Sequence, residues 1–163
     1  MTMGCVVPPG ARSFPGEACQ VGEARRFVAR ALEGCPARER LLTCVSELAA
    51  NAVEHTESGA GGTFTVTVRC PREGVALVSV ADDGGAGEPA TGGREEMSES
   101  GRGLALVDAF SSHWGCRRAG RGHLVWAEAT WLVPADGPAG ACRRPPGLWQ
   151  DAEDSPARPQ GVA

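Results

Sequence analysis

Two periodicities follow one another in this chain and restrict it to helices laid on a sheet. Leu41, Val45, Leu48 and Ala52 recur at intervals of 4, 3 and 4, the spacing of an apolar stripe along a helix. Thr63-Phe64-Thr65-Val66-Thr67-Val68-Arg69 then alternates polar and apolar, the period of a half-buried strand. Val75 to Ala81 continues in the same way, and Arg72-Glu73-Gly74 between the two runs predicts a hairpin turn. A helix with one apolar stripe and a hairpin with one apolar face each need a cover, and each supplies the other's. The expected fold is a two-layer α/β sandwich, with a mixed, mostly antiparallel sheet and helices on one face.

The remaining elements fit that frame. A short strand is expected near Arg12–Pro15, and a first helix over Val21–Leu32, where Val21, Ala24, Val28, Ala31 and Leu32 share a face. The long second helix covers about Ala37–Thr56, with Pro36 in its first turn. A further helix is predicted over Leu104–Ser112, and strands near Trp114–Arg117 and Leu124–Thr130 close the sheet. The expected organisation is a flexible lead over 1–11, one domain over 12–132, and a separable tail over 133–163 that holds six of the twelve prolines.

Within the second helix lies the only asparagine of the chain, Asn51, four residues after Glu47. All 16 basic residues are Arg and there is no Lys, the signature of a strong coding bias, under which a lone Asn is worth explaining. Glu47 and Asn51 lie one turn apart on one side of the helix, bordering the apolar stripe. A carboxylate and a carboxamide so placed can hold a divalent cation and a water beside a phosphate chain. On its own, however, such a pair is most often a solvated helix face.

Two glycine clusters add to it. The second strand runs into Asp82-Asp83-Gly84-Gly85-Ala86-Gly87, and Asp82 shares the parity of Val78 and Val80, which aims its carboxylate at the core face. A carboxylate aimed there needs a donor, and the exocyclic amine of adenine is a suitable one. Asp83 has the opposite parity. Further on, Gly101-Arg102-Gly103-Leu104 opens an apolar helix, and backbone N–H groups at such a start form an anion site. The stretch from Ala86 to Ser100, rich in Gly, Glu and Ser, reads as a lid between them.

This ordered set resembles the GHKL (Bergerat-type) ATP-binding fold shared by histidine kinases, gyrase B and MutL. Ser46 to Thr56 looks like the N-box, Asp82-Asp83-Gly84-Gly85 like the G1 box, and Gly101-Arg102-Gly103-Leu104-Ala105-Leu106-Val107 like the G2 box. The closest resemblance is to the small stand-alone subgroup of RsbW/SpoIIAB-like anti-sigma factors with serine kinase activity. Phe14-Pro15-Gly16, Arg25-Arg26-Phe27-Val28 and Trp114-Gly115 fit that subgroup too. The resemblance implies ATP and Mg2+ as ligands, with Asn51 on the metal and Glu47 orienting or deprotonating the attacking hydroxyl. It implies that Asp82 takes the adenine amine, with Gly84 and Gly85 keeping the base pocket open. Gly101, Gly103 and the helix start at Leu104 would hold phosphates, with Arg102 adding charge. The G1 box often reads DxGxG, and here Ala86 stands at its last position. An alignment on Asp83-Gly85-Gly87 keeps the spacing but turns the Asp off the core face, so Asp82 is preferred.

By the same resemblance the expected function is a serine/threonine protein kinase that phosphorylates an anti-sigma antagonist and sequesters a sigma factor, with homodimerisation common in the subgroup. Glu54, where many relatives carry a basic residue, leaves open a non-catalytic module that switches partners in response to ATP, or a nucleotide site kept only as a relic. A net charge of -4 without a basic stripe gives no support for a nucleic-acid surface. The absence of Lys excludes a P-loop. The seven cysteines show no zinc spacing, and most are expected to be buried small hydrophobes or incidental thiols. No run approaches the length of a bilayer span and no signal peptide is visible, so a cytoplasmic location is expected. His113 and His123 read as isolated surface or edge residues, and no segment presents a phosphorylatable His.

Overall fold

The computed structural model describes residues 10–84 and 100–133. Its elements run β1 (Ala11–Pro15), α1 (Ala18–Ala31), α2 (Arg38–His55), a single 3-10 turn (Glu57–Gly59), β2 (Thr63–Arg72), β3 (Val75–Asp82), α3 (Ser100–Phe110), β4 (His113–Ala119) and β5 (Gly122–Thr130). The strands form one sheet in the order β1-β2-β3-β5-β4, and every described pairing is antiparallel. The helices pack on one face of it, as the two periodicities require.

The alternation in β2 does what its pattern promises. Phe64, Val66, Val68 and Cys70 point into the core, and the residues between them do not. Phe64 stacks on Phe14 of β1 at 5.5 Å between ring centres, and Phe27 of α1 meets Phe14 edge-on at 6.1 Å. Ala24, Val28 and Ala31 bury one face of α1. The Arg25 guanidinium donates to the Leu42 carbonyl at 2.8 Å and to Ser46 Oγ at 3.0 Å, fixing α1 against α2.

Helix α2 is the central rod. Leu41, Val45, Leu48 and Ala52 are buried, joined by Leu42, Cys44 and Ala49. Its first helical residue is Arg38, so Pro36 stands just outside in a turn rather than in the first helical turn. The Leu41 N–H already bonds the Ala37 carbonyl at 3.1 Å, which makes Ala37 the cap. The flank of α2 formed by Arg40, Cys44, Glu47 and Asn51 faces α3. Arg40 donates to the carbonyls of Phe110 (2.9 Å) and Thr130 (3.0 Å) and to Ser112 Oγ (3.2 Å). Cys44 Sγ lies 4.0 Å from the Val107 carbonyl oxygen, and Gly103 sits against Glu47 and Asn51. Numbers rise along α2 as they fall along α3, so the two helices run antiparallel and the start of α3 is delivered to Glu47 and Asn51.

Three described cysteines, Cys35, Cys44 and Cys70, are buried, while Cys19 and Cys116 are exposed. Burial pushes the Cys44 thiol up to about 11 from 9.0, with the nearby Arg40 charge pulling the other way. Between these values the unfolded chain ionises its thiol while the folded chain keeps the proton. Stability therefore falls as pH rises from about 9 to about 11, by up to roughly 1.4 kcal/mol per pH unit from this group. The chain has no Lys and no Tyr, so cysteines are the only side chains expected to titrate in that window. Urea unfolding at pH 8, 9, 10 and 11 should show the decline in wild type and a shallower one in Cys44→Ala.

No helix among the described residues is long and apolar enough to cross a membrane. The expected lid, Gly85, and nearly all of the expected lead and tail fall outside the described residues.

Candidate functional site

Glu47 and Asn51 are each partly buried on the flank of α2, one turn apart. Gly103 meets them from α3. A Cβ placed on Gly103 would lie 2.9 Å from Glu47 Oε2, 3.5 Å from Asn51 Oδ1 and 3.6 Å from Asn51 Nδ2. Only a glycine lets this backbone approach the carboxylate so closely. The helix begins at Ser100, earlier than Leu104, so Gly101 and Gly103 form its first turn rather than precede it. Arg102 is exposed, and Leu104 is half-buried against the core. Two segments far apart in sequence thus build one wall.

Asp82 ends β3 on the helix-facing side, paired with Phe64 of β2, as its parity requires. Its side chain is only 8% exposed. Oδ1 accepts from the backbone N–H of Gly84 at 2.8 Å and from that of His123 at 3.1 Å. Gly84 is buried at φ +82°, and a Cβ there would stand 2.1 Å from the Arg121 carbonyl oxygen. Gly84→Ala meets both left-handed strain and a backbone collision, so a loss of about 3 kcal/mol is expected. Denaturant unfolding would measure it.

Asp83 takes another part. Exposed at the surface, it accepts the Thr63 N–H on Oδ2 at 2.6 Å, and its own N–H donates to Ser58 Oγ at 3.0 Å. The buried Ser58 hydroxyl donates in turn to the Thr63 carbonyl at 2.6 Å, and the Glu57 N–H bonds the Gly84 carbonyl at 2.5 Å. The 3-10 turn after α2 is thereby tied to the end of β3. The Asn51 end of α2 and the Asp82 end of β3 consequently share one edge of the molecule.

The sequence expectation for His123 needs correction. It is not a surface residue, since its side chain is 14% exposed, and Nδ1 lies 3.7 Å from Asp82 Oδ1. The register Ala81↔Leu124 sets Asp82 and His123 side by side on the helix-facing surface. Cys116 and Arg118 of β4, opposite Val125 and His123, share that surface. Although Cys116 is exposed, partial desolvation raises its thiol above the ordinary value, and the Asp82 charge raises it further. The period-2 spacing of Val125, Ala127 and Ala129 could have given His123 its face, but no local signal says that β5 pairs with β3. His113 agrees better with expectation, exposed and 3.5 Å from Glu128. His55, also exposed, lies 3.7 Å from Glu54.

A five-stranded antiparallel sheet with helices packed on one face is consistent with the α/β sandwich of an ATPase fold. The family profile of the histidine kinase-like ATPase domain matches residues 14–129. The chain belongs to that family, an ATP-binding one. No curated protein matches the chain.

Proposed function

We propose that this chain is an ATP- and Mg2+-dependent regulator of the RsbW/SpoIIAB-like anti-sigma type, transferring a phosphoryl group to Ser or Thr of a small antagonist protein and sequestering a sigma factor. The observation that carries the proposal is the convergence of Glu47 and Asn51 on Gly103, where even a Cβ would lie only 2.9 Å from the Glu47 carboxylate. A pure binding surface has no use for a carboxylate held against a phosphate-binding turn.

The residues divide the work. Asp82 accepts the amine of adenine, since both of its recorded backbone bonds fall on Oδ1 and Oδ2 is the oxygen suited to the ligand. Gly84, just past Asp82, lets backbone close on the base. The start of α3 receives the phosphates through the N–H groups of Ser100, Gly101 and Arg102, which have no partner within the helix, while those of Gly103 and Leu104 are already taken up by the helix. Arg102 adds positive charge from its exposed position. The oxygen donors of Glu47 and Asn51 suit Mg2+, which takes one or two protein oxygens beside phosphates and water. Bound there, the ion would neutralise phosphate charge, with Asn51 as its protein ligand. Glu47 takes the proton of the attacking hydroxyl as the new O–P bond forms and the bond to the ADP oxygen breaks.

A second reading is a non-catalytic module that exchanges partners on binding ATP. Glu54, exposed in the last turn of α2 near the site edge, favours it by placing negative charge where phosphates gain from a cation. The Glu47→Ala variant separates the two. ATP-dependent phosphoserine or phosphothreonine on a bound partner, formed by wild type and lost in the variant, supports the kinase. Partner exchange that proceeds equally in both, without phosphorylation, supports the module.

A further inference from the structure

We infer that His123 reads the base, its Nε2 accepting one hydrogen of the ligand's exocyclic amine while Asp82 accepts the other. The inference rests on the ATP reading above and goes beyond it by naming a second determinant of base recognition. Three observations support it. His123 neighbours Asp82 on the same surface of the sheet. Its Nδ1 faces the Asp82 carboxylate at 3.7 Å, too long for a hydrogen bond yet close enough to favour the hydrogen on Nδ1. That tautomer makes Nε2 an acceptor.

Nε2 itself is buried and makes no hydrogen bond among the described residues. Buried polar atoms are rarely left so in proteins, and a ligand donor would satisfy this one. Among the described residues of the neighbouring strand β4, Cys116 and Arg118 share this face of the sheet. Neither replaces an acceptor, because an Arg only donates and a protonated thiol accepts weakly. A primary amine has two hydrogens, and Asp82 with His123 would take both. The pair would then discriminate against a base carrying a substituent on that amine.

The test is calorimetric titration of wild type, His123→Ala and His123→Gln with Mg2+ and either ATP or N6-methyl-ATP. Wild type should bind ATP roughly 10-fold more tightly than N6-methyl-ATP, the worth of about one hydrogen bond. His123→Ala should bind ATP roughly 10-fold more weakly and prefer neither ligand. Gln carries an acceptor at a similar reach, and its variant should keep the preference. Equal binding of the two ligands by wild type would overturn the inference without reference to any variant. So would an undiminished preference in His123→Ala, and in both cases ATP binding itself would stand. Failure of wild type to bind ATP at all would overturn the ATP reading and this inference with it.

Discussion

Asp82→Asn is expected to weaken ATP binding about 100-fold while the protein stays folded. The side chain keeps its shape, and one carbonyl oxygen can still accept from the Gly84 and His123 backbone N–H groups, the bonds that Asp82 Oδ1 makes now. What changes is the other terminal atom, from an acceptor to an NH2 donor. A ligand amine arriving there would meet a donor in a site that is 8% exposed, with little water to relieve the mismatch. Sites built to pair a polar ligand group reject a mismatched one by large factors, because the buried partners are left unpaired. Titration calorimetry would give the affinity, and thermal unfolding without ligand should give a midpoint within a few degrees of wild type. Unchanged affinity would mean that Asp82 only braces the β3–β5 edge.

Gly103→Val is expected to cost binding at least 30-fold and to leave stability nearly unchanged. The new Cβ begins 2.9 Å from Glu47 Oε2, inside normal contact, and 3.5 Å from Asn51 Oδ1. The atoms it meets are the ends of flexible side chains, which can turn away without moving the backbone. Val also suits a helix at least as well as Gly does, which offsets the crowding. The fold therefore survives while the Glu–Asn pair is pushed from its place beside the first turn of α3. A variant that unfolds would show instead that this approach is rigid, whereas full binding would detach Gly103 from the ligand site. Urea unfolding and ATP titration on the same preparation distinguish the three outcomes.

Much of this architecture is legible in the sequence because it is local. The stripe Leu41, Val45, Leu48 and Ala52 specifies a helix and its buried face, and β2 and β3 follow from alternation and the turn between them. Parity alone places Asp82 toward the helices and Asp83 away. Other features depend on contacts between distant segments. Insertion of β5 between β3 and β4 brings His123 beside Asp82, and nothing in Gly122-His123-Leu124 announces that neighbour. The anchoring of Asp83 to Thr63 and Ser58 depends on a 3-10 turn too short to leave a periodic signal. The clusters around Glu47 and Gly103 each carry a weak local signal. Their convergence is a property of two antiparallel helices, set by Arg40 and Cys44 further along the same flank.

The most direct single measurement is titration calorimetry of the wild-type chain with ATP in excess Mg2+, with Asn51→Ala alongside. Saturable binding by wild type, weakened at least 10-fold in Asn51→Ala and dependent on Mg2+ in wild type alone, is the expected result. No heat of binding at millimolar ATP, or binding that Asn51→Ala leaves intact, would contradict a nucleotide site built on Glu47, Asn51 and the first turn of α3.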